Sequence, residues 1–126
     1  MASAAASYIR RWTRALTEDV GERDAQEMAD SSREEGATHA CDCQRGDEVT
    51  LIGRLRSVEA RSASGRADVV AGFFDGTDEI TLVWIGRRRI HGIEAGTRLL
   101  VRGRVGERDG NKVIFNPYYE LRADAT

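Results

Sequence analysis

The sequence contains very little that could cross-link the chain or anchor it in a membrane. Its two cysteines, Cys41 and Cys43, stand one residue apart, so a disulfide between them would close a tiny loop and could not staple a fold. The longest apolar runs, such as 80–85, fall far short of the roughly 20 residues that a membrane span requires. Residues 1–11 lack the central apolar stretch of a secretory signal. We therefore expect a cytoplasmic protein with no membrane contact, in a reducing compartment.

A strong excess of one charge is also missing. The chain has 19 basic residues, of which 18 are arginine, and 21 acidic residues, for a net charge of -2. Residues 1–46 hold 6 basic and 9 acidic side chains, a net of -3, whereas residues 47–126 hold 13 and 12, a net of +1. This balance argues against indiscriminate binding of polyanions and assigns the acidity to the amino-terminal third.

No constellation of catalytic residues stands out. The sequence has no Gly-rich phosphate loop followed by Lys-Ser or Lys-Thr, and its two histidines lack an evident nucleophile arrangement. His39, Cys41 and Cys43 bring three soft ligands within five residues, but zinc needs a fourth and only His91 remains. We therefore expect no enzyme activity, metal or cofactor, and interpret the cysteine pair as packing or as an oxidisable linker.

The amino-terminal third has the pattern of a helical extension. Apolar residues recur every four positions at Tyr8, Trp12, Leu16 and Val20. This spacing predicts an amphipathic helix over 8–20. Over 17–36 the charges thicken and few apolar residues remain, so this stretch can be helical but has little to bury. We assign residues 1–46 to a helical, partly flexible acidic extension that packs on the domain, frays in solution or docks on a partner.

Beyond Arg45 the apolar period changes from four residues to two, which is typical of strands with one buried face. Strands are predicted near residues 49–56, 69–74, 80–85, 98–105 and 112–122. Pro117 cannot donate to a ladder, so it must lie at a bulge or an edge of the fifth strand. The glycine-bounded connection 86–96 has room for one or two helical turns. Five strands with a short helix between the third and fourth predict a mainly β fold, the five-stranded Greek-key barrel called the OB-fold, over residues 47–122, with a tail over 123–126.

Five short segments of the β region carry a family resemblance. They are Asp75-Gly76-Thr77, Val83 to Arg88, Gly96 to Leu99, Gly103 to Val105, and Asn116 to Glu120. Together they resemble small actinobacterial OB-fold nucleic-acid-binding proteins, whose module is similar to the wedge domain of the RecG branch-migration helicase. The resemblance implies an OB-fold that binds nucleic acid. That group usually has a further glycine after Asp-Gly-Thr, whereas Asp78 and Glu79 follow here and place two carboxylates near a surface expected to meet phosphate.

OB-folds bind single strands across the second and third strands, between the loop that joins the first two strands and the loop that joins the last two. Contacts with nucleic acid are expected from basic residues in those loops and after the third strand: Arg61, Arg66, Arg87, Arg88, Arg89, His91, Arg108 and Lys112. Stacking is expected from outward aromatic rings. Because adjacent strand residues point opposite ways, one ring of Phe73 and Phe74, and one of Tyr118 and Tyr119, should leave the core unless a bulge intervenes. Phe74 and Tyr118 are the candidates, whereas Trp84 is in phase with core residues and should fill the barrel.

These patterns predict a non-catalytic protein that binds single-stranded or branched DNA, or RNA, through an OB-fold groove with modest affinity that falls with salt. The alternative is a protein-protein interaction module in which the barrel or the helix over 8–20 docks on a partner. The near-zero charge of residues 47–126 and the carboxylates of Asp78 and Glu79 favour that alternative.

Overall fold

The chain is mainly β, as its two-residue periodicity predicts. The computed structural model describes residues 19–63 and 65–123, and within them one helix, α1 (Asp19–Glu34), is followed by a 3-10 turn (Ala40–Asp42). Seven strands follow: β1 (Glu48–Ala63), β2 (Arg66–Phe74), β3 (Glu79–Ile85), β4 (Arg98–Arg104), β5 (Gly106–Arg108), β6 (Asn111–Phe115) and β7 (Tyr118–Arg122). The helix predicted over 8–20 lies outside the described residues except at its last two positions. Among the described residues, no helix has the length and apolar character to cross a membrane.

The seven strands form one mixed sheet in the order β5-β6-β3-β2-β1-β4-β7. Every pairing is antiparallel except that of β3 with β6. Only Asn116 and Pro117 separate β6 from β7 in the chain, although the two strands lie near opposite ends of this order. The sheet must therefore curve strongly. The predicted fifth strand is interrupted at Pro117 as expected, and the Pro117 carbonyl accepts a hydrogen bond of 3.2 Å from the Trp84 indole N–H.

The core is built from one face of each long strand. Strand alternation places on this face a set of side chains that are at most 1% exposed: Leu51, Leu55, Phe73, Ile80, Leu82, Leu99 and Val101. Trp84 joins them at 5% exposure, which confirms the prediction made from its phase. Its ring meets Tyr119 edge-on, with the two ring centroids 5.9 Å apart. The opposite face of the sheet, which we call the outer face, lies away from this core.

Helix α1 packs on the sheet, so the packing alternative holds for this part of the acidic extension. Ala29 and Ser32 are buried, at 6% and 1% exposure. The contact depends on Gly76 in the turn between β2 and β3, which has a φ of 96° and no side chain. A β-carbon at Gly76 would collide with the Ala25 carbonyl oxygen and lie 2.7 Å from the Ala29 backbone nitrogen. The helix backbone thus rests directly on this glycine.

A buried carboxylate joins the segment after α1 to the same turn. Asp75 is fully buried, and its Oδ2 accepts a hydrogen bond of 2.7 Å from the Ala40 backbone N–H. Its Oδ1 accepts from the Thr77 N–H at 2.9 Å, the Thr77 hydroxyl at 2.6 Å and the Asp78 N–H at 3.2 Å. A buried carboxylate is tolerated when its oxygens are saturated in this way. The Asp-Gly-Thr turn is therefore a structural clamp.

The connection between β3 and β4 contains no helix, so that prediction was wrong. Residues 86–97 are all described and form successive turns. Gly86, Gly92 and Gly96 have φ values of 74°, 77° and 92°, and each such residue interrupts a right-handed helix. Close glycines at these positions favour turns over even a short helix.

The loops predicted between the first two strands and between the last two strands are shorter than expected. β1 and β2 stay paired as far as Ala63 and Arg66, so the loop expected over 60–66 is a tight hairpin turn. The turn expected over 106–111 contains β5, which pairs with β6 around Asp109 and Gly110. Both of these residues have positive φ, 52° and 80°, as a two-residue hairpin turn of type I′ requires.

Candidate nucleic-acid interface

A shallow groove crosses the outer face of β2 and β3, the two strands across which ligand binding was predicted. Its floor pairs Val70 with Val83 and Gly72 with Thr81 in the antiparallel register. β1 supplies one wall, with Ser57, Glu59 and Arg61, and the β5–β6 hairpin supplies the other, with Arg108, Asp109 and Asn111. The open volume is about 380 Å³. We call this feature the groove.

The groove carries both signs of charge. Two guanidinium groups, of Arg61 and Arg108, share it with three carboxylates, of Glu59, Glu79 and Asp109, for a net charge of -1. Arg61 donates from Nε and Nη2 to Glu59 Oε1 at 3.0 and 2.6 Å. Both side chains are more than half exposed, so this ion pair is weak and readily replaced. The groove is therefore not a uniform trough for phosphate.

Beyond the floor of the groove, Asp68 ties the start of β2 to the residue after β3. Its Oδ1 accepts from the Gly86 backbone N–H at 2.9 Å and from Arg66 Nε at 3.2 Å. The hydrogen bond from Gly86, followed by the interactions with Arg66 and the nearby charge of Arg108, lowers the pKa of Asp68 below its ordinary value. Arg66 is thus engaged by Asp68 at the edge of the predicted site.

Three consecutive arginines follow directly in the connection after β3. Arg87, Arg88 and Arg89 are exposed, and we call them the basic loop. Their side chains make no ion pair or hydrogen bond with any residue of 19–63 or 65–123. Adjacent guanidinium groups repel one another, so an anion bound between them relieves that repulsion. The basic loop is the clearest cationic feature of the described surface near the groove.

Two exposed apolar side chains border the basic loop. Ile85, which ends β3, is 39% exposed, and Phe115, which ends β6, is 44% exposed. Phe115 pairs with Val83 in the parallel ladder and therefore shares the outer face with the groove floor. Phe115 was not among the residues predicted from the sequence. Its position directly before the proline break, where the strand leaves the sheet, is the signal that could have identified it.

Neither Phe73 nor Phe74 is exposed, so the prediction of an outward stacking ring at Phe74 was wrong. Phe73 is fully buried and Phe74 is only 8% exposed. The register of β1 shifts between Leu55 and Ser57, and Arg56 at this bulge covers the Phe74 ring, with its guanidinium carbon 3.6 Å from the ring centroid. A covered ring offers no face to a base, so Phe74 does not belong to the interface.

Lys112 also has a structural position instead of the predicted phosphate contact. Its Nζ donates to the Ala40 carbonyl at 2.7 Å and pairs with Asp78 at 3.3 Å. Only 27% of its side chain is exposed. The single lysine therefore holds the 3-10 turn against the β2–β3 turn, beside the Asp75 clamp.

The remaining predicted contacts lie outside the groove. Tyr118 faces outward at 52% exposure, whereas Tyr119 is partly buried and donates to the His91 carbonyl at 3.0 Å, so one tyrosine ring leaves the core as predicted. Tyr118 lies on β7, however, and its hydroxyl donates a hydrogen bond to Glu120, which raises the pKa of Tyr118.

His91 is exposed two residues beyond the basic loop. Of the predicted residues, Arg61 and Arg108 lie in the groove, with Arg66 and the basic loop beyond the floor.

The segment before β1 brings candidate metal ligands together. Ligand atoms of three residues lie within 4.8 Å of one another: His39, Cys41 and Asp42. Both ring nitrogens of His39 are already used, because Arg33 donates to Nδ1 at 3.2 Å and Nε2 donates to the Ala29 carbonyl at 2.9 Å. Cys43 is buried, and its thiol donates a hydrogen bond of 3.4 Å to the His39 carbonyl. Burial raises the pKa of this thiol. These contacts are those of a packed turn.

No known protein-family model matches the chain, and no curated protein matches it at a significant level. The groove is therefore interpreted from its own residues.

Proposed function

We propose that this chain is a non-catalytic protein that binds single-stranded nucleic acid along the groove. The observation that carries the proposal is the basic loop, three exposed guanidinium groups without a partner among the described residues, beside the open outer face of β2 and β3. Guanidinium groups bind phosphate oxygens through paired, charge-assisted hydrogen bonds. A strand that lies along the groove would bring its backbone to this loop.

We also propose that the sheet is an OB-type barrel. In this interpretation β1 to β4 are the first four strands, and β6 and β7 together form the fifth, broken at Pro117. The parallel pairing of β6 with β3 and the antiparallel pairing of β7 with β4 support closure of the sheet through this strand. The likeness to the RecG wedge module remains a prediction from the sequence.

The distribution of charge supports an arrangement with bases over the groove floor and phosphates outside it. Phosphates beside the groove carboxylates would be repelled, whereas the basic loop and Arg108 offer cations at its margins. Phe115 is an exposed aromatic ring in phase with the groove floor, and stacking of an unpaired base on such a ring is worth about 1–3 kcal/mol. Stacking requires unpaired bases, so single strands or forked ends are the proposed ligands.

A protein partner is the second candidate. Ile85 and Phe115 form exposed apolar surface beside a cationic loop, and interfaces of this composition also bind acidic proteins with an apolar centre. A protein partner would occupy the same surface as a nucleic acid, so binding measurements with nucleic-acid probes distinguish the two candidates.

The test is fluorescence anisotropy of labelled single-stranded, duplex and forked DNA and single-stranded RNA, at several salt concentrations. The variant Arg87/Arg88/Arg89→Ala is compared with Arg23/Arg104/Arg122→Ala, which removes the same charge from α1, β4 and β7, elements that do not line the groove. The wild type should bind single strands with an affinity that falls with salt. The basic-loop variant should bind much more weakly, and the slope of log affinity against log salt should shrink by about 2, since each lost phosphate contact removes about 0.7.

The control variant should keep most of the wild-type affinity. Equal losses in the two variants would show that the charge acts without a defined site. Failure of the wild type to bind any probe would overturn the proposal and favour the protein partner.

A further inference from the structure

A small polar recess lies at the centre of the groove, above Gly72. A β-carbon at this position would lie 2.8 Å from Ser57 Oγ and 3.2 Å from Glu79 Oε1. Because glycine has no side chain, these two polar groups approach the floor from β1 and β3. Thr81, which pairs with Gly72 across the ladder, adds a second hydroxyl to the lining. The floor of the groove is therefore polar at its middle.

The carboxylate of Glu79 is available to a ligand. Three other acids near the groove have cationic partners: Glu59 with Arg61, Asp68 with Arg66, and Asp78 with Lys112. Glu79 is exposed, and its carboxylate has no hydrogen bond or ion pair to the part of the chain that the structure describes. An ionised carboxylate accepts hydrogen bonds and cannot donate them. A group that binds it must therefore present a donor.

The bases of a single strand differ in the donors that they present. Cytosine carries an amino group at N4 and adenine carries one at N6, whereas thymine and uracil have the O4 carbonyl at that position and hold their N3–H donor between the O2 and O4 carbonyl oxygens. Unstacked bases in a single strand are recognised through these edges. A carboxylate accepts from the amino groups and repels the carbonyl oxygens.

We propose that Glu79 is a base-reading residue, so that the groove selects strands whose bases carry amino groups and disfavours thymine-rich and uracil-rich strands. This inference rests on the proposed function, because it places the bases above Gly72 and the phosphates at the basic loop. The hydroxyls of Ser57 and Thr81 both donate and accept, so they satisfy the other polar atoms of the base. The negative charge of Glu79 lowers affinity for thymine and uracil, whose N3–H donor is flanked by two carbonyl oxygens that repel a carboxylate.

The test compares a twelve-nucleotide oligodeoxycytidylate with an oligodeoxyuridylate of the same length at neutral pH. The two strands have the same backbone and ring size, and their bases differ at C4, an amino group against a carbonyl, and at N3, an acceptor against an N–H donor. The wild type should bind the cytidylate about tenfold more tightly, since a well-placed hydrogen-bonded base contact gives discrimination of that order. Glu79→Gln should reduce the ratio towards one, because an amide both donates and accepts.

The matched control is Glu22→Gln, which removes the same charge from an exposed position on α1. It should leave the ratio of the two affinities at the wild-type value. Equal binding of the two strands by the wild type would overturn the base-reading inference and leave the proposed function intact. Binding of neither strand would instead overturn the proposed function, so the two failures are distinguishable.

Discussion

Gly76 meets two requirements that only glycine meets together. Its φ of 96° lies in the left-handed region, and its missing side chain leaves space for the backbone of α1 at Ala25 and Ala29. Gly46 has a similar φ of 94° but has no atom within 4 Å of its would-be β-carbon, apart from its chain neighbours. Substitutions at Gly46 and Gly76 therefore separate the free-energy cost of the backbone conformation from the cost of losing the helix contact.

Gly76→Ala should lower the free energy of unfolding by more than Gly46→Ala does. Gly46→Ala should cost about 1–2 kcal/mol, the usual penalty of a left-handed conformation for a residue with a β-carbon. Gly76→Ala should add about 2 kcal/mol or more, because the helix backbone must move away. Urea denaturation of the two variants measures both values. Equal losses would mean that α1 does not depend on this turn.

At the scale of single residues, the sequence predicted which face a side chain occupies better than what covers it. The phases of Leu82 and Trp84 identified core residues correctly, because strand alternation is a local property of the backbone. Phe74 was misassigned since the guanidinium over its ring comes from a bulge in another strand. Lys112 was misassigned because its partner Ala40 is distant in the sequence. Such long-range contacts leave no periodic signal.

At the scale of elements, the 3-10 turn, the β2–β3 turn and α1 form one packed unit. Asp75 and Lys112 both bond to Ala40, and the helix rests on Gly76. Cys41 lies in the 3-10 turn and Cys43 directly after it, and Cys41 is exposed whereas Cys43 is buried. The reactivity of the two thiols therefore reports whether the unit is intact.

Cys41 should react rapidly with a disulfide reagent such as Ellman's reagent, and Cys43 should react at least about a hundredfold more slowly, since an opening free energy of about 3 kcal/mol suppresses its exposure by that factor. Burial also raises the pKa of Cys43, which lowers its thiolate fraction at neutral pH. Cys41→Ser should abolish the fast phase, and urea should make Cys43 react fast. Rapid reaction of both thiols in native protein would contradict the packed unit.

The sequence predicted the strands themselves because their alternation is regular, and Pro117 marked the break in the last one. It failed in the connection over 86–97, where the length allowed a short helix but three glycines with positive φ favour turns. It also could not predict β5, because a strand of three residues carries too little periodicity to be read. The parallel pairing of β3 with β6 depends on the whole fold and leaves no local pattern in the sequence.

At the scale of the whole molecule, the small net charge of -2 hides an uneven distribution of charge. Residues 1–46 have a net charge of -3 and residues 47–126 a net charge of +1, and the basic loop lies beside a groove whose own net charge is -1. A strand bound there meets cations at the margin and acceptors at the centre. Total charge would predict no binding of nucleic acid, so the proposed interface depends on where these groups lie.

The most direct test of the proposed interface is a titration of isotope-labelled protein with oligodeoxycytidylate, followed by amide chemical shifts in proton–nitrogen correlation spectra. The largest changes should fall on the groove floor, the basic loop and the end of β6, at residues 70–72, 79–89 and 113–115. Amides of α1 and β7 should shift little, because neither element lines the groove. Changes concentrated on α1 or β7, or none at saturating oligonucleotide, would contradict the account.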